Sequence, residues 1–584
     1  MRGFFKTFFA ALLALVVFVG ILIFILIGLA GGLLSPKKPD IGGKAVLVID
    51  LSQSYREQMQ DNPLSDLGSE DQYDVPGIYD LVRLVRHAKE DTAIRGLYLK
   101  CNENPNGFAS SEEIRNAILD FKKSGKFVYA YGEVIPQKAY YVGNVADKIY
   151  CNPKGGIEWK GFAVEMTFLK GTLRKLGIEP QIFYAGKFKS ATEPLREEKM
   201  TDANRLQLTE LLGDFYNRLL YSTAQSRSLD TALLRKCVNE HRIRYPKDAL
   251  EYKLVDGLKY DDEVKDELRE KLKVDKHEYL NFIALGKYAK AVEYKGTGKD
   301  RISLIYAEGE VVEGKGGRDE IGADTYRWLI RKARFDKDVK AIVLRVNSGG
   351  GSSLASENIW RELSLARKEK PVVISFGDVA ASGAYYLSCN ADSIFAMPGT
   401  ITGSIGVFSV IPNLQSFFNN KLGITFDGVK TAPEADALTI TKPLTPAQRN
   451  FIQSEIDTIY YTFKSRVANG RGRSIEYVDS IAQGRVWSGS RGLALGLTDR
   501  TGTLQDAIDC AARMAKTSDY RLKEYPEPKS FLDRILGNYK KTAGMKAMKD
   551  ELGEDGYRTY MTIKKVRSMV GVTQARMPWD LVIE

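Results

Sequence analysis

A serine among alanines and glycines is the first feature that could do chemistry. The segment DVAASGAYYLS (residues 378–388) follows PVVISF (371–376), which reads as a strand, and a helix is predicted to begin near Ser382. Ala380, Ala381, Gly383 and Ala384 are small enough to let the backbone turn sharply and a substrate approach. A helix N-terminus also offers free N–H groups and the positive end of a dipole to a developing oxyanion. This is the logic of a nucleophile elbow, although the G-x-S-x-G pattern is absent. The plainer alternative is that Ser382 only caps the helix, as serine often does. A second element, RVNSGGGSS (345–353), ends a strand in three glycines, Gly349, Gly350 and Gly351. Such a loop can turn backbone N–H groups toward a ligand.

A serine hydroxyl needs a base to become a useful nucleophile. Histidine is scarce: His87, His241 and His277 are the three in the chain, and none lies near these motifs in sequence. Lysine can serve once burial lowers its pKa from about 10.4, the value at which only roughly 1 in 2,500 is neutral at pH 7. Many lysines are present and physical chemistry alone does not choose among them. Lys189, in YAGKFKSATEP (184–194), attracts notice because small residues follow it.

These motifs sit in a chain that repeats itself. Val339 lies 245 residues after Ile94, and at that offset IRGLYLKCN (94–102) aligns with VKAIVLRVN (339–347). KFVYAYGEV (126–134) aligns with PVVISFGDV (371–379), and AYYVGNVADKIYCNP (139–153) with AYYLSCNADSIFAMP (384–398), with no gap from residue 94 to 153. KAVLVIDL (44–51) and ISLIYAEGEVVE (302–313) read as the first strand of each copy. Apolar runs such as AIVLRV alternate with amphipathic stretches such as 354–367, where Ala355, Ile359, Leu363 and Ala366 share one face. Alternating strands and helices predict an α/β fold with parallel strands. The two copies differ where chemistry is expected: Gln137 stands opposite Ser382, Lys138 opposite Gly383, and KCNENPNGF replaces the glycine loop. The first copy keeps the fold pattern and lacks the nucleophile.

With 584 residues, two or more domains are expected. The boundaries read as 1–40 for a cytoplasmic stub and anchor, 41–298 and 299–517 for the two repeats, and 518–584 for a Lys-rich helical extension. The net charge of +11 is spread among acidic residues, with no basic cluster interleaved with aromatics, which argues against nucleic-acid binding. Five widely spaced cysteines without a C-x-x-C pair support neither a zinc site nor a disulfide scaffold. Residues 7–34 are uncharged and almost wholly apolar, enough for a helix of roughly 42 Å against a bilayer core of about 30 Å. An uncleaved transmembrane anchor is expected rather than a signal peptide. Flanking charges are nearly balanced and do not fix its orientation.

RVNSGGGSSLASE, GDVAASGAYYLS, GTITGSIGV and GKFKSATEP, in their observed positions, together resemble the long-form signal peptide peptidase, or protease IV, family. The resemblance covers nearly the whole chain and implies tandem Clp-protease-like (crotonase-type) domains with a Ser–Lys dyad split between them. It implies Ser382 as nucleophile, Lys189 as general base, and Ser404 of TGSIG as the residue that orients the lysine. Gly350, Gly351 and Gly383 would supply the oxyanion hole, with no cofactor or metal. Gly349 stands where the family usually has proline, and Lys430 lies near where single-copy relatives carry their base, so it is kept as an alternative base. The resemblance further implies a homo-oligomer, a tetramer enclosing a cavity, on the outer face of a bacterial cytoplasmic membrane. Its expected substrates are released signal peptides and other flexible apolar peptides. Two other classes remain open: an acyl-CoA enzyme of crotonase type and an inactive membrane scaffold.

Overall fold

The computed structural model describes residues 38–59, 75–317, 319–527 and 573–577, together with 3–4, 7–15, 17–18, 21 and 553. The expected anchor at 7–34 therefore falls largely outside the described residues. Among the described residues no helix is long and apolar enough to cross a membrane.

Two parallel sheets carry the two repeats. In the first, strands run in the order Gly257–Leu258, Lys148–Ile157, Phe127–Ile135, Ile94–Lys100, Ala45–Asp50, Phe282–Ala284, all neighbours parallel. The second repeats that order with Arg500–Thr501, Ser393–Ala396, Val372–Ala381, Val339–Ser348, Asp300–Glu308 and Tyr520–Tyr525. Central strands such as Val339–Ser348 are near-continuous apolar runs because helices cover both faces. Helix Ser353–Arg367 starts where the Ser352 hydroxyl accepts from Ala355 N, and it buries Ala355, Ile359, Leu363 and Ala366 against the second core. The correspondence extends beyond the gapless stretch seen in sequence. Helices Asp202–Arg227 and Pro446–Arg471 are both 26 residues long, and both are capped by a threonine, Thr201 and Thr445.

Tyr520–Tyr525, expected in a helical extension, is instead the edge strand of the second sheet, matching Phe282–Ala284 in the first. Its pairing partner is Asp300–Glu308, some 220 residues earlier, which local composition cannot reveal. Gln574–Arg576, also expected helical, is a strand as well.

A third sheet joins the repeats. Its order is Glu320–Gly322, Glu310–Val312, Gly350–Ser352, Gln574–Arg576, Val407–Asn413, Glu179–Ala185. Glu179–Ala185 leaves the first repeat and pairs antiparallel along the whole of Val407–Asn413 in the second. Polar contacts fasten the junction. Asp378 accepts from Ser110 N and Oγ at 2.9 and 2.6 Å. Fully buried Arg345 reaches Glu57 at 2.8 Å and Glu113 at 2.6 Å, two carboxylates of the first repeat on one guanidinium of the second.

Candidate active site

Strand Val372–Ala381 hands the chain to helix Gly383–Ser388 through Ser382 alone. Ser382 has φ +56° and ψ −117°, a conformation that non-glycine residues avoid, and its side chain makes no capping hydrogen bond. A strained residue freed from capping presents its Oγ rather than stabilising the helix. Ser382 N donates to the Gly403 carbonyl at 2.8 Å, fixing the turn against strand Ile401–Gly403.

Lys189 arrives from the other repeat. Strand Glu179–Ala185, held by Val407–Asn413, delivers it four residues later, and Gly186 and Gly484 let the loop close. A Cβ at Gly484 would lie 2.7 Å from Lys189 N and Cβ, and one at Gly186 would lie 2.5 Å from the Gln483 carbonyl carbon. Phe188 N donates to Gln483 O at 2.8 Å. Lys189 is completely buried, and Nζ lies 2.8 Å from Ser382 Oγ, 3.0 Å from Ser404 Oγ and 3.1 Å from Ser404 O. Burial holds the amine well below its ordinary pKa, because desolvation penalises the charged form and, among the described residues, no carboxylate contacts it. A neutral amine has two N–H donors and one lone pair. The two Ser404 oxygens accept the N–H groups, which leaves the lone pair facing the Ser382 hydroxyl. Ser404 holds this position with φ +51° and its own N–H donating to Arg485 O at 2.7 Å.

The glycine loop lies beside the turn. Gly351 and Gly383 come close: a Cβ on Gly383 would sit 3.1 Å from Gly351 N. Gly350, expected as an oxyanion donor, instead gives its N–H to Ser348 Oγ at 3.1 Å. Its φ of +96° turns the loop and leaves Gly351 N beside Gly383 at the nucleophile turn. Lys430 does not join the site. Its Nζ lies on the Pro433 carbonyl at 2.8 Å and near Asp436 at 3.4 Å, on an exposed loop.

Gln207 was not visible to sequence reasoning. It donates to Phe188 O and Ser190 Oγ, on either side of Lys189, and accepts from Val486 N of the second repeat. Nothing local marks a glutamine in mid-helix for that task. The Gly406 carbonyl, 3.4 Å from Ser382 Oγ, lies in the TGSIG segment, and that motif was the signal available. In the first repeat the position matching Ser382 is closed: Gln137 Oε1 accepts from Lys160 N and Gly161 N, both at 2.8 Å.

Comparison with known proteins agrees with the duplication. The profile described as Peptidase family S49 matches residues 120–275 and again 364–518, the first containing Lys189 and the second Ser382 and Ser404. Protease 4 of Salmonella typhi is 35% identical over 495 residues, covering 83% of this chain and 79% of that protein. The chloroplastic serine protease SPPA of Arabidopsis thaliana is 32% identical over 462 residues, covering 77% and 68%. A solved structure of Listeria monocytogenes ClpP1 matches with 14% identity and a TM-score of 0.25, covering 35% of this chain and 94% of that one. The chain belongs to peptidase family S49, carries the family's domain twice, and is a serine peptidase.

Proposed function

We propose that the protein is a membrane-anchored Ser–Lys endopeptidase that degrades released signal peptides and other flexible apolar peptides. The observation that carries the dyad is the 2.8 Å contact between fully buried Lys189 Nζ and Ser382 Oγ. Ser382 gives its proton to Lys189 as Oγ bonds to the peptide carbonyl carbon. The carbonyl oxygen becomes an oxyanion held by the N–H groups of Gly351 and Gly383. Collapse breaks the C–N bond, and Lys189 returns the proton to the leaving amine. Water then attacks the acyl-enzyme, with Lys189 again taking the proton. Ser404 acts as a positioning residue.

An extended substrate is favoured because Gly350–Ser352 already holds an extended segment, Gln574–Arg576, in antiparallel register, which is the backbone pairing an extended peptide would use. Apolar preference is supported by Phe108, Phe215, Ile401 and Val486, which cluster beside the nucleophile turn. Anchoring rests on the uncharged apolar run at 7–34. A tetramer on the outer face of a bacterial cytoplasmic membrane follows from the family reading. Exposed Leu422, Ile424, Phe426 and Val429 support contact between copies.

The test is labelling of the full chain with a fluorophosphonate across a pH series, with the adduct mapped by mass spectrometry. An adduct on Ser382 that grows with pH and disappears in Lys189→Ala is expected. Labelling that survives Lys189→Ala unchanged would remove the dyad.

A further inference from the structure

The two repeats differ in charge at the edge where their strands begin. In the first sheet Lys44 precedes Ala45–Asp50, Arg95 is the second residue of Ile94–Lys100, Lys126 precedes Phe127–Ile135, and Lys148 opens Lys148–Ile157. These strands are parallel, so the four basic residues share one edge. Sheet register and the 245-residue offset set Asp300, Lys340, Pro371 and Ser393 at the matching positions of the second repeat. There Lys340 alone is basic and Asp300 is acidic, so the fold itself does not require the positive charge.

Helix Asp261–Leu272 ends at the same edge and adds Lys271 and Lys273. Together the six basic residues line an open cleft of about 800 Å³, with Phe127 and Tyr129 among its walls. Lys271 Nζ stands 5.5 and 5.9 Å from the centroids of those two rings. Asp147 is the one carboxylate of the lining, and it is already engaged by Lys122 at 2.8 Å and by Val128 N at 2.8 Å. Lys126 donates to Ala88 O and Asp91 O, and Lys44 to Lys273 O, all neutral acceptors. Lys44, Arg95, Lys148, Lys271 and Lys273 are exposed, and none pairs with a carboxylate among the described residues. A concave surface lined by charges of one sign concentrates the opposite ion.

The same edge receives the chain from its apolar run. Lys44 follows Leu34 by ten residues, and Lys38, held by Glu293 at 2.8 Å, follows it by four. Four residues span at most about 14 Å, so Lys38 lies within that distance of the end of the run. Asn281 Nδ2 donates to Ile41 O at 2.7 Å and to Gly43 O at 3.3 Å, which ties the connecting segment to this edge. The opposite edge, where the strands end, leads into Glu57 and Ser110, which meet the second repeat. Ligands of open parallel sheets sit at that carboxyl edge, so the basic cleft is separate from the active site.

We propose that the cleft binds the phosphate headgroup of an anionic phospholipid and so seats the first repeat on the membrane. This rests on the anchored reading of residues 7–34. The phosphate oxygens accept hydrogen bonds from the Arg95 guanidinium and the lysine ammonium groups, a pairing that high salt weakens.

The test is hydrogen exchange on the full chain in nanodiscs of phosphatidylcholine, alone or mixed with phosphatidylglycerol. Slower exchange at residues 42–44, 124–126, 146–148 and 273–276 in the mixed discs is expected, with the difference fading as salt rises. Arg95→Glu combined with Lys148→Glu should abolish that difference and leave cleavage of a soluble peptide unchanged. Arg95→Gln alone should weaken it, and Lys340→Glu, at the matching position of the second repeat, should leave it intact. Entry into both discs with equal exchange, or a difference that survives the double variant, overturns the lipid site and spares the anchor. Protection by inorganic phosphate or a short oligonucleotide, where the mixed lipid gives none, overturns the lipid in favour of a soluble phosphate or a nucleic acid. A full chain that enters neither disc overturns the anchor reading and this inference together.

Discussion

Replacing Lys189 by methionine isolates the base. In water, holding a lysine neutral at pH 7 costs about 4.6 kcal/mol, from a pKa of about 10.4 at 1.36 kcal/mol per unit. Burial lowers that cost at Lys189. Once the amine is gone, the hydrogen-bond partner of Ser382 Oγ left among the described residues is the Gly406 carbonyl at 3.4 Å, which can accept a hydrogen bond but cannot carry the proton away. General-base catalysis is typically worth about 10²–10⁴-fold, and with no substitute in contact the loss should reach the upper end, about 10⁴-fold in acylation rate. Lys189→Arg should be equally inactive, because guanidinium stays charged. The assay is the second-order rate of fluorophosphonate labelling from pH 5 to 10, with wild type expected to rise to a plateau at a midpoint below the ordinary lysine value. Stability gives an independent readout. The folded pKa lies below the unfolded one, so between the two the unfolded chain binds more protons and wild-type stability rises with pH. The stability of Lys189→Met relative to wild type should therefore be greatest at low pH and fade as pH approaches about 10.4. A variant that keeps more than about a tenth of the wild-type rate, or a relative stability that does not change with pH, would refute the reasoning.

Ser404→Ala removes one of two acceptors on Nζ, a hydrogen bond worth about 1.5–3 kcal/mol to a charged or polarised group, so kcat should fall about 10–100-fold with a shifted pH midpoint and little change in KM. Lys430→Ala should leave peptide cleavage unchanged, since its amine contacts Pro433 and Asp436; a large loss would reopen its role as base. Burial pushes the Glu57 carboxyl from 4.5 up to about 7, with Arg345 opposing. The folded chain thus holds a proton that the unfolded chain has lost, and its contribution to stability should fall as pH rises through that window, by up to about 3 kcal/mol. Chemical denaturation at pH 4.5 and 7.5 should show this difference reduced in Glu57→Gln.

Much of the fold was readable because its signals are local. The repeat offset placed Ile94–Lys100, Phe127–Ile135 and Lys148–Ile157 over Val339–Ser348, Val372–Ala381 and Ser393–Ala396, and apolar runs of strand length marked buried parallel strands. Ser382 was readable for the same reason: strand, small residues and turn are contiguous, and the first repeat supplies a contrast in Gln137. Lys189 was different. Its basicity is set by burial against a loop of the other repeat, so its selection depended on family resemblance rather than on spacing. Gln207 and Gly484 gave no local sign, since Gln207 ties the Lys189 loop to Val486 of the second repeat and Gly484 meets Lys189 from the second repeat. Residues 520–525 and 574–576 were read as helical from a Lys-rich setting, but strand pairing with distant segments decides their state. Gly350 fits the glycine pattern, yet only the Ser348 hydroxyl reveals that its N–H is already engaged.

The division of the dyad between repeats has a consequence for biosynthesis. Lys189 is made 193 residues before Ser382. A ribosome that has completed the first repeat has produced a lysine with no hydroxyl to deprotonate, inside a domain whose own nucleophile position is plugged by a glutamine. On the Ser–Lys reading, reactivity begins only when the second repeat has folded and Val407–Asn413 has paired with Glu179–Ala185. On that reading the nascent chain carries no assembled dyad during synthesis, and completion of the fold is the event that arms it.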